Sequence, residues 1–152
     1  MKVSVKEGFQ TSNDETEQRS KNMAAIKSRD TKPEILTRRL LHALGYRFRL
    51  HLKDLPGCPD VVLPKYKTVI FINGCFWHQH NGCKFSSMPK SNQDYWQKKL
   101  NNNTIRDEIN IAKLITLGWN VIVVWECETK DITSLRSRLT NMIHNSQSDS
   151  RE

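Results

Sequence analysis

Residues 55–80 read LPGCPDVVLPKYKTVIFINGCFWHQH. Two apolar, β-branched runs stand inside this stretch, Asp60-Val61-Val62-Leu63 and Thr68-Val69-Ile70-Phe71-Ile72. The second is apolar at almost every position, as a strand buried on both faces must be. Asn73-Gly74 closes it with turn chemistry. The runs therefore read as neighbouring strands of a sheet whose two faces both need cover, and the chain on either side must supply it.

Upstream, Tyr46-Arg47-Phe48-Arg49-Leu50 alternates like a half-buried strand. Before it, Thr31 and Glu34 are spaced as a capping box, and Pro33 suits a first helical turn. Ile35, Leu36, Leu40, Leu41 and Leu44 then form an apolar stripe, and Gly45 follows as a C-terminal cap. Downstream, residues 75–91 show no periodicity. A long helix is predicted over about 92–117, with Trp96, Leu100, Ile105, Ile109, Ala112 and Leu114 as its inward positions. Trp119 to Trp125 is a further β-branched strand, and Ile132, Leu135, Leu139, Met142 and Ile143 mark a last amphipathic helix. The order α-β-β-β-α-β-α describes an α/β fold, a small mixed sheet with helices on both faces.

The 152 residues suit one domain. Residues 1–18 read as a flexible polar tail, 19–145 as a single domain and 146–152 as a second tail. Residues 19–29 read as a short helix or an arm, with Met23 and Ile26 as its large apolar side chains. No apolar run has the roughly 18–20 residues of a membrane span. The opening stretch lacks the hydrophobic core of a secretory signal, so the expected location is the cytoplasm. Net charge is +8, and Arg19 to Arg49 holds nine bases against Asp30 and Glu34. Such a segment favours a polyanion, or is simply a solvated helix face.

In a reducing compartment four cysteines read as metal ligands before disulfides. Cys75, His80 and Cys83 lie within nine residues, and Cys127 follows a buried strand that can deliver it as the fourth ligand. A Cys3His set suits structural zinc. Cys58 is the alternative to Cys127, and His78 the alternative to His80; buried thiols beside a surface histidine are the plain reading. Asp60, at the head of a strand, is a natural Mg2+ ligand for phosphodiester chemistry. Glu34 and Asp107 are further acidic groups, and His78 is a candidate general base. Each has an ordinary reading too: loop punctuation, a capping box, a surface pair with Arg106, a surface histidine. Phe76-Trp77 can stack on bases or cover the core.

Together these residues resemble the very short patch repair (Vsr) DNA mismatch endonucleases. The likeness runs from Arg19 to about Cys127. It is carried by RSKNMAAIKSRDTKPE (19–34), the quoted central stretch with its GCFWH (74–78), the helix from Trp96 to Asp107, and LGWNVIVVWEC (117–127). The resemblance implies a restriction-endonuclease-like fold of the PD-(D/E)xK kind. It implies a Mg2+-dependent nick 5′ to the thymine of a T:G mismatch, the product of 5-methylcytosine deamination. Asp60 would be the central Mg2+ ligand, with the Ile72 backbone carbonyl beside it. His78 would activate water, Asp107 would be its acidic partner, and Glu34 an acidic helper. Cys75, His80, Cys83 and Cys127 would hold structural Zn2+. Phe76 and Trp77 would wedge into DNA beside the mismatch, with Met23 approaching from the minor groove. Arg19, Lys21, Lys27 and Arg29 would grip phosphates. A monomer, linked to a cytosine-5 methyltransferase and to mismatch-repair proteins, is the implied setting.

Several positions depart from the family pattern. The (D/E)xK half of the restriction signature is absent, and Ile72-Asn73 occupies that strand end. A histidine stands at the Asn73 position in some members. The zinc loop, His80-Asn81-Gly82-Cys83, is one residue longer than in some relatives, and Cys58 takes a place often held by a base. Two other functions compete: a restriction-type nuclease acting on matched duplex, and a zinc-stabilised DNA-binding module without catalysis.

Overall fold

The structure is a computed structural model that describes residues 30–149. From Lys32 onward the chain forms one compact unit, and residues 30 and 31 belong with the segment before it. Met23, Arg19, Lys21, Lys27 and Arg29, together with the expected tail at 1–18 and the arm at 19–29, lie outside the described residues.

Helix α1 spans Lys32–Ala43. Strands β1 (Arg49–Leu50), β2 (Val61–Leu63) and β3 (Thr68–Asn73) follow, then α2 (Gln93–Thr116), β4 (Asn120–Trp125) and α3 (Ile132–Asp149). The sheet order is β1-β2-β3-β4. The first two pairings are antiparallel and β3 pairs with β4 in parallel. A parallel neighbour needs a crossover, and α2 supplies it. The expected order of elements and the small mixed sheet flanked by helices are both present.

The two faces are covered by different helices. Leu40 and Leu41 of α1 and Leu135, Leu139 and Ile143 of α3 pack against Val61, Leu63, Ile70, Ile72, Ile122 and Val124. On the other face Val62 and Val69 meet Leu114 of α2, with Leu52, Leu55, Phe71, Trp119 and Val121 around them. Alternate residues of β2 thus feed opposite cores, which is why that strand reads as a continuous apolar run.

The structure departs from expectation in four places. The strand expected over 46–50 is only two residues long, because Tyr46 turns away to pack its ring edge-on to Tyr66 at 5.3 Å. Helix α3 continues to Asp149, past Asn145, where a polar tail was expected. Ile132 at its start is exposed. The largest correction is the phase of α2. Leu100 and Leu114 are buried as expected, but Ile105 and Ile109 are 53% and 49% exposed, and Ala112 is exposed too. Between the two leucines the partly buried positions are Asn103, Thr104, Asp107, Asn110 and Ile111, four of the five polar. The middle of this helix covers a polar site rather than an apolar core, so Ile105 and Ile109 point outward.

The loop from Leu52 to Cys58 lies beneath α2. Gly57 has φ +76°, and a Cβ there would come within 3.0 Å of Asn110. Glycine is needed at that point for both reasons, and the close approach sets the loop that leads into Asp60.

Candidate active site and metal centre

Asp60 precedes β2, and antiparallel pairing sets it beside the C-terminal end of β3. Its Oδ2 accepts a hydrogen bond of 2.7 Å from the Ile72 backbone N–H. One carboxylate oxygen is therefore fixed by the sheet, leaving Oδ1 for other partners. Burial pushes the Asp60 pKa up from 3.8 to about 6, and the nearby Glu34 carboxylate adds to the rise. The Ile72 N–H, His51 and His78 pull the other way. A buried carboxyl with an acidic neighbour is one that a divalent cation would stabilise as the anion.

Glu34 reaches this site from α1 and is only 3% exposed. Its Oε2 accepts 2.8 Å from Nη2 of Arg38, one helical turn on. His51, just after β1, lies between the acidic groups, with Nδ1 3.8 Å from Asp60 Oδ1 and Nε2 3.7 Å from Glu34 Oε2. Its ring is also 3.0 Å from Arg38 Nη2.

His78 comes from the loop after β3 and Asp107 from the polar face of α2. Nδ1 of His78 and Oδ2 of Asp107 are 2.5 Å apart. The carboxylate accepts the Nδ1 proton, which leaves the Nε2 lone pair available as a base. Both side chains are about 30% exposed, open enough to reach a substrate, and His78 lies close enough to Asp60 to lower its pKa.

The loop carrying His78 is heavily tied. Backbone N–H groups of His78 and His80 donate to Gly74 and Cys75, at 3.1 and 2.9 Å. The Ser86 hydroxyl donates to the carbonyls of His80 and Cys83, and Gln79 donates to that of Phe76. Asn103 of α2 donates 3.1 Å to the Trp77 carbonyl. Within this frame Cys75, His80, Cys83 and Cys127 place their ligand atoms within 4.8 Å of one another. Tetrahedral zinc, with Zn–S bonds of about 2.3 Å, spaces its ligand atoms about 3.7 Å apart. The separations from His80 Nδ1 are 3.7 Å to Cys75 Sγ and 3.4 Å to Cys127 Sγ, so the set can hold a tetrahedral ion. Burial pushes the Cys75 thiol up to about 12 and also raises Cys127, while the Phe85 N–H lowers Cys83. Three adjacent thiolates need a cation between them, and binding it would release their protons.

Of the alternatives left open by spacing, Cys127 joins this group and Cys58 does not; His80 joins it and His78 turns to Asp107. Cys127 is delivered by the turn after β4. Trp125 at the strand end stacks on the His80 ring at 4.2 Å and 11°. Glu128 accepts from the Trp125 N–H and pairs with Arg138 of α3 at 2.7 Å, which ties the turn to the helix.

Phe76 and Trp77 are half-buried and meet edge-on at 5.1 Å. Both pack against Trp96 of α2, at 5.6 and 5.9 Å, and Tyr95 extends the group outward. Lys99 Nζ lies 5.9 Å from the Trp77 ring. The aromatic pair thus stands on a rigid base, next to the loop that carries His78.

Three participants escaped the reading of the sequence. The sequence does not single out His51 or Arg38, and Trp96 reads as core alone. Arg38 carried a signal, since it follows Glu34 at the i,i+4 spacing of an ion pair. His51 could be found only by pairing the strands, which sets it opposite Asp60.

A family model described as DNA mismatch endonuclease Vsr matches residues 13–84. The chain is 49% identical over 127 residues to the type II nicking enzyme V.XorIIP of Xanthomonas oryzae pv. oryzae, covering 84% of this chain and 93% of that protein. It is 47% identical over 128 residues to the type II nicking enzyme V.NmeAIP of Neisseria meningitidis, covering 84% and 91%. Identity to the DNA mismatch endonuclease Vsr of Escherichia coli K12 is 42% over 123 residues, covering 81% of this chain and 76% of that one. Among the described residues no helix is long and apolar enough to cross a membrane.

Proposed function

This chain belongs to the Vsr family and is a DNA endonuclease, and from that premise we propose that it nicks duplex DNA 5′ to the thymine of a T:G mismatch, using Mg2+. One observation carries the reading: a sheet-anchored carboxylate, Asp60, lies within electrostatic reach of a carboxylate-oriented imidazole, the His78–Asp107 pair. This is the equipment for hydrolysis of a phosphodiester, a metal-binding acid beside a poised base.

In this mechanism Asp60 Oδ1 and the Ile72 carbonyl would hold Mg2+. Bound there, the ion would offset the charge that builds on the scissile phosphate. His78 Nε2 takes a proton from the attacking water, and Asp107 stabilises the imidazolium that results. Glu34 keeps a second negative charge close to the reacting phosphate and is itself held by Arg38.

Cys75, His80, Cys83 and Cys127 would hold Zn2+, which would cross-link the loop to the end of β4. That loop carries both His78 and the Phe76–Trp77 pair, so recognition and chemistry share one frame. A wobble pair unstacks more easily than a matched pair, and a rigid aromatic wedge exploits the difference. The names of the relatives, nicking enzymes and a mismatch endonuclease, support a single-strand cut at a mispair. The basic residues Arg19, Lys21, Lys27 and Arg29 and Met23 would complete the grip on DNA. A monomer acting in the bacterial cytoplasm, alongside a cytosine-5 methyltransferase and mismatch-repair proteins, fits such a lesion.

The test is a set of labelled duplexes, each with one T:G mismatch in a different methyltransferase context, incubated with protein and Mg2+ beside matched C:G controls. A nick 5′ to the mismatched thymine, absent from the controls, is expected. Cleavage of matched duplex would replace this reading with a restriction-type nuclease. Mismatch binding without any cut, unaltered by Asp60→Ala, would replace it with a binding module.

A further inference from the structure

We propose that His51 and Arg38 are positioning residues for the endonuclease reaction: Arg38 fixes the His51 ring so that its Nδ1–H orients the free oxygen of Asp60. The proposal deepens the reading above and rests on the assignment of Asp60 to the reaction.

The argument is one of donors and acceptors. A guanidinium nitrogen has hydrogens to donate and no lone pair to offer. Arg38 Nη2 lies 2.8 Å from Glu34 Oε2 and 3.0 Å from His51 Nε2. At 3.0 Å from Nε2 the guanidinium nitrogen can only donate, so Nε2 must present its lone pair. The proton of the ring then sits on Nδ1. That nitrogen lies 3.8 Å from Asp60 Oδ1, a gap that a side-chain shift of under about 1 Å closes to a hydrogen bond. Asp60 Oδ2 is already held by the Ile72 N–H. The carboxylate is thus gripped by the sheet on one oxygen and aligned by an imidazole on the other. The same arginine also holds Glu34, so one guanidinium sets the positions of both acidic groups without any change of charge on the ring.

The backbone supports this placement. The His51 N–H donates 3.3 Å to the Asp60 carbonyl, which extends the β1–β2 pairing by one step. At that step His51 adopts φ +49°, a left-handed conformation that non-glycine residues rarely take. The arrangement is a relay from α1 through the edge of the sheet to the carboxylate, with His51 as its middle member.

The experiment compares His51→Phe, His51→Asn and Arg38→Met with the unaltered protein, using Asp60→Asn as reference. Rate of nicking under single turnover, DNA affinity and the Mg2+ concentration for half-maximal rate are measured for each. Phenylalanine keeps the volume of the ring without its nitrogens; asparagine keeps a donor near the place of Nδ1. His51→Phe is expected to lower the rate between about tenfold and a hundredfold, to raise the Mg2+ requirement and to leave DNA affinity unchanged. His51→Asn should recover most of the rate. Arg38→Met should lose at least as much as His51→Phe, since it also releases Glu34, and the double variant should be no worse than Arg38→Met alone.

Wild-type rate and Mg2+ requirement in His51→Phe would overturn the proposal. So would failure of His51→Asn to outperform His51→Phe when both bind DNA normally. Should His51→Phe not fold, the comparison of His51→Asn with Arg38→Met decides: equal losses with an unchanged Mg2+ requirement overturn it, whereas a higher requirement in Arg38→Met supports it. Full activity in Asp60→Asn would instead sink the underlying assignment, whatever the His51 variants do.

Discussion

The cysteine-histidine loop and the carboxylate site lie side by side, yet the chain builds them in opposite ways. Three of the four loop ligands fall within nine residues, and backbone hydrogen bonds inside the same segment orient them. The carboxylate site draws Glu34 from α1, His51 from the end of β1, Asp60 from the head of β2 and Asp107 from the middle of α2. A local cluster is specified by spacing and tied by hydrogen bonds within its own segment. A dispersed one exists only because the sheet register and a helix phase are correct. The His78–Asp107 bond joins the two, since one partner belongs to each.

That joint is where the comparison breaks most visibly. Asp107→Asn keeps the shape of the side chain but removes the charge that sets the His78 tautomer. Its kcat should fall by about 10²–10⁴-fold with little change in DNA affinity, read by single-turnover nicking and by equilibrium binding. An unchanged kcat would mean that the two regions work independently.

Cys127→Ser probes the single remote ligand of the local cluster. It should remove most of the bound metal and destabilise the protein by more than about 3 kcal/mol. Near-ultraviolet dichroism from Trp77, Trp96 and Trp125 should change, and sheet and helix signals should persist at low temperature. Metal analysis with denaturant unfolding provides the check. Zinc retained at full stoichiometry would remove Cys127 from the ligand set.

Asp60→Asn tests the cost of the dispersed site. The Asp60 pKa rises from 3.8 to about 6 on folding, so between those values the folded state binds more protons than the unfolded one. Stability without added Mg2+ should therefore fall as pH rises from about 4 to about 6, reaching a penalty of at most about 3 kcal/mol above that window. The asparagine variant retains an acceptor for the Ile72 N–H and should lack this slope. It should be more stable than the parent at pH 8 and equal to it below pH 4, by urea unfolding across that range. A parent whose stability is flat in this window would show that Asp60 is not strained by burial.

The smallest expected effect lies on α2, between the two regions. Ile109→Ser should change stability by no more than about 0.5 kcal/mol. Leu114→Ala, five residues on, should cost about 2–5 kcal/mol. A comparable loss at Ile109 would restore the apolar phase that hydrophobic periodicity predicts for this helix.

Legibility follows the same division. The strands β3 and β4 are continuous apolar runs, and the structure has them within a residue of the expected ends. The ligand set was visible as residue types, with Cys58 and His78 as rivals that only the fold could set aside. In α2 the pattern misled, because a helix that covers a polar site turns polar residues inward and leaves Ile105 and Ile109 outside. Periodicity reports which residues are apolar, not which face the site occupies. His51 was invisible for a related reason: its partners are 17 and 9 residues away in the chain, at Glu34 and Asp60, and only strand pairing brings them together.

By itself, the order of residues determined the elements, the two-sided burial of the sheet and the local cysteine-histidine loop, because each depends on interactions within a few residues or on a strand's own composition. The tertiary structure alone decided that Cys127 and not Cys58 joins the loop cluster, that His78 turns to Asp107 while His80 faces the thiols, and that Arg38 and His51 meet Glu34 and Asp60. Those choices depend on register and crossover geometry, through which side chains far apart in the chain come within hydrogen-bonding distance.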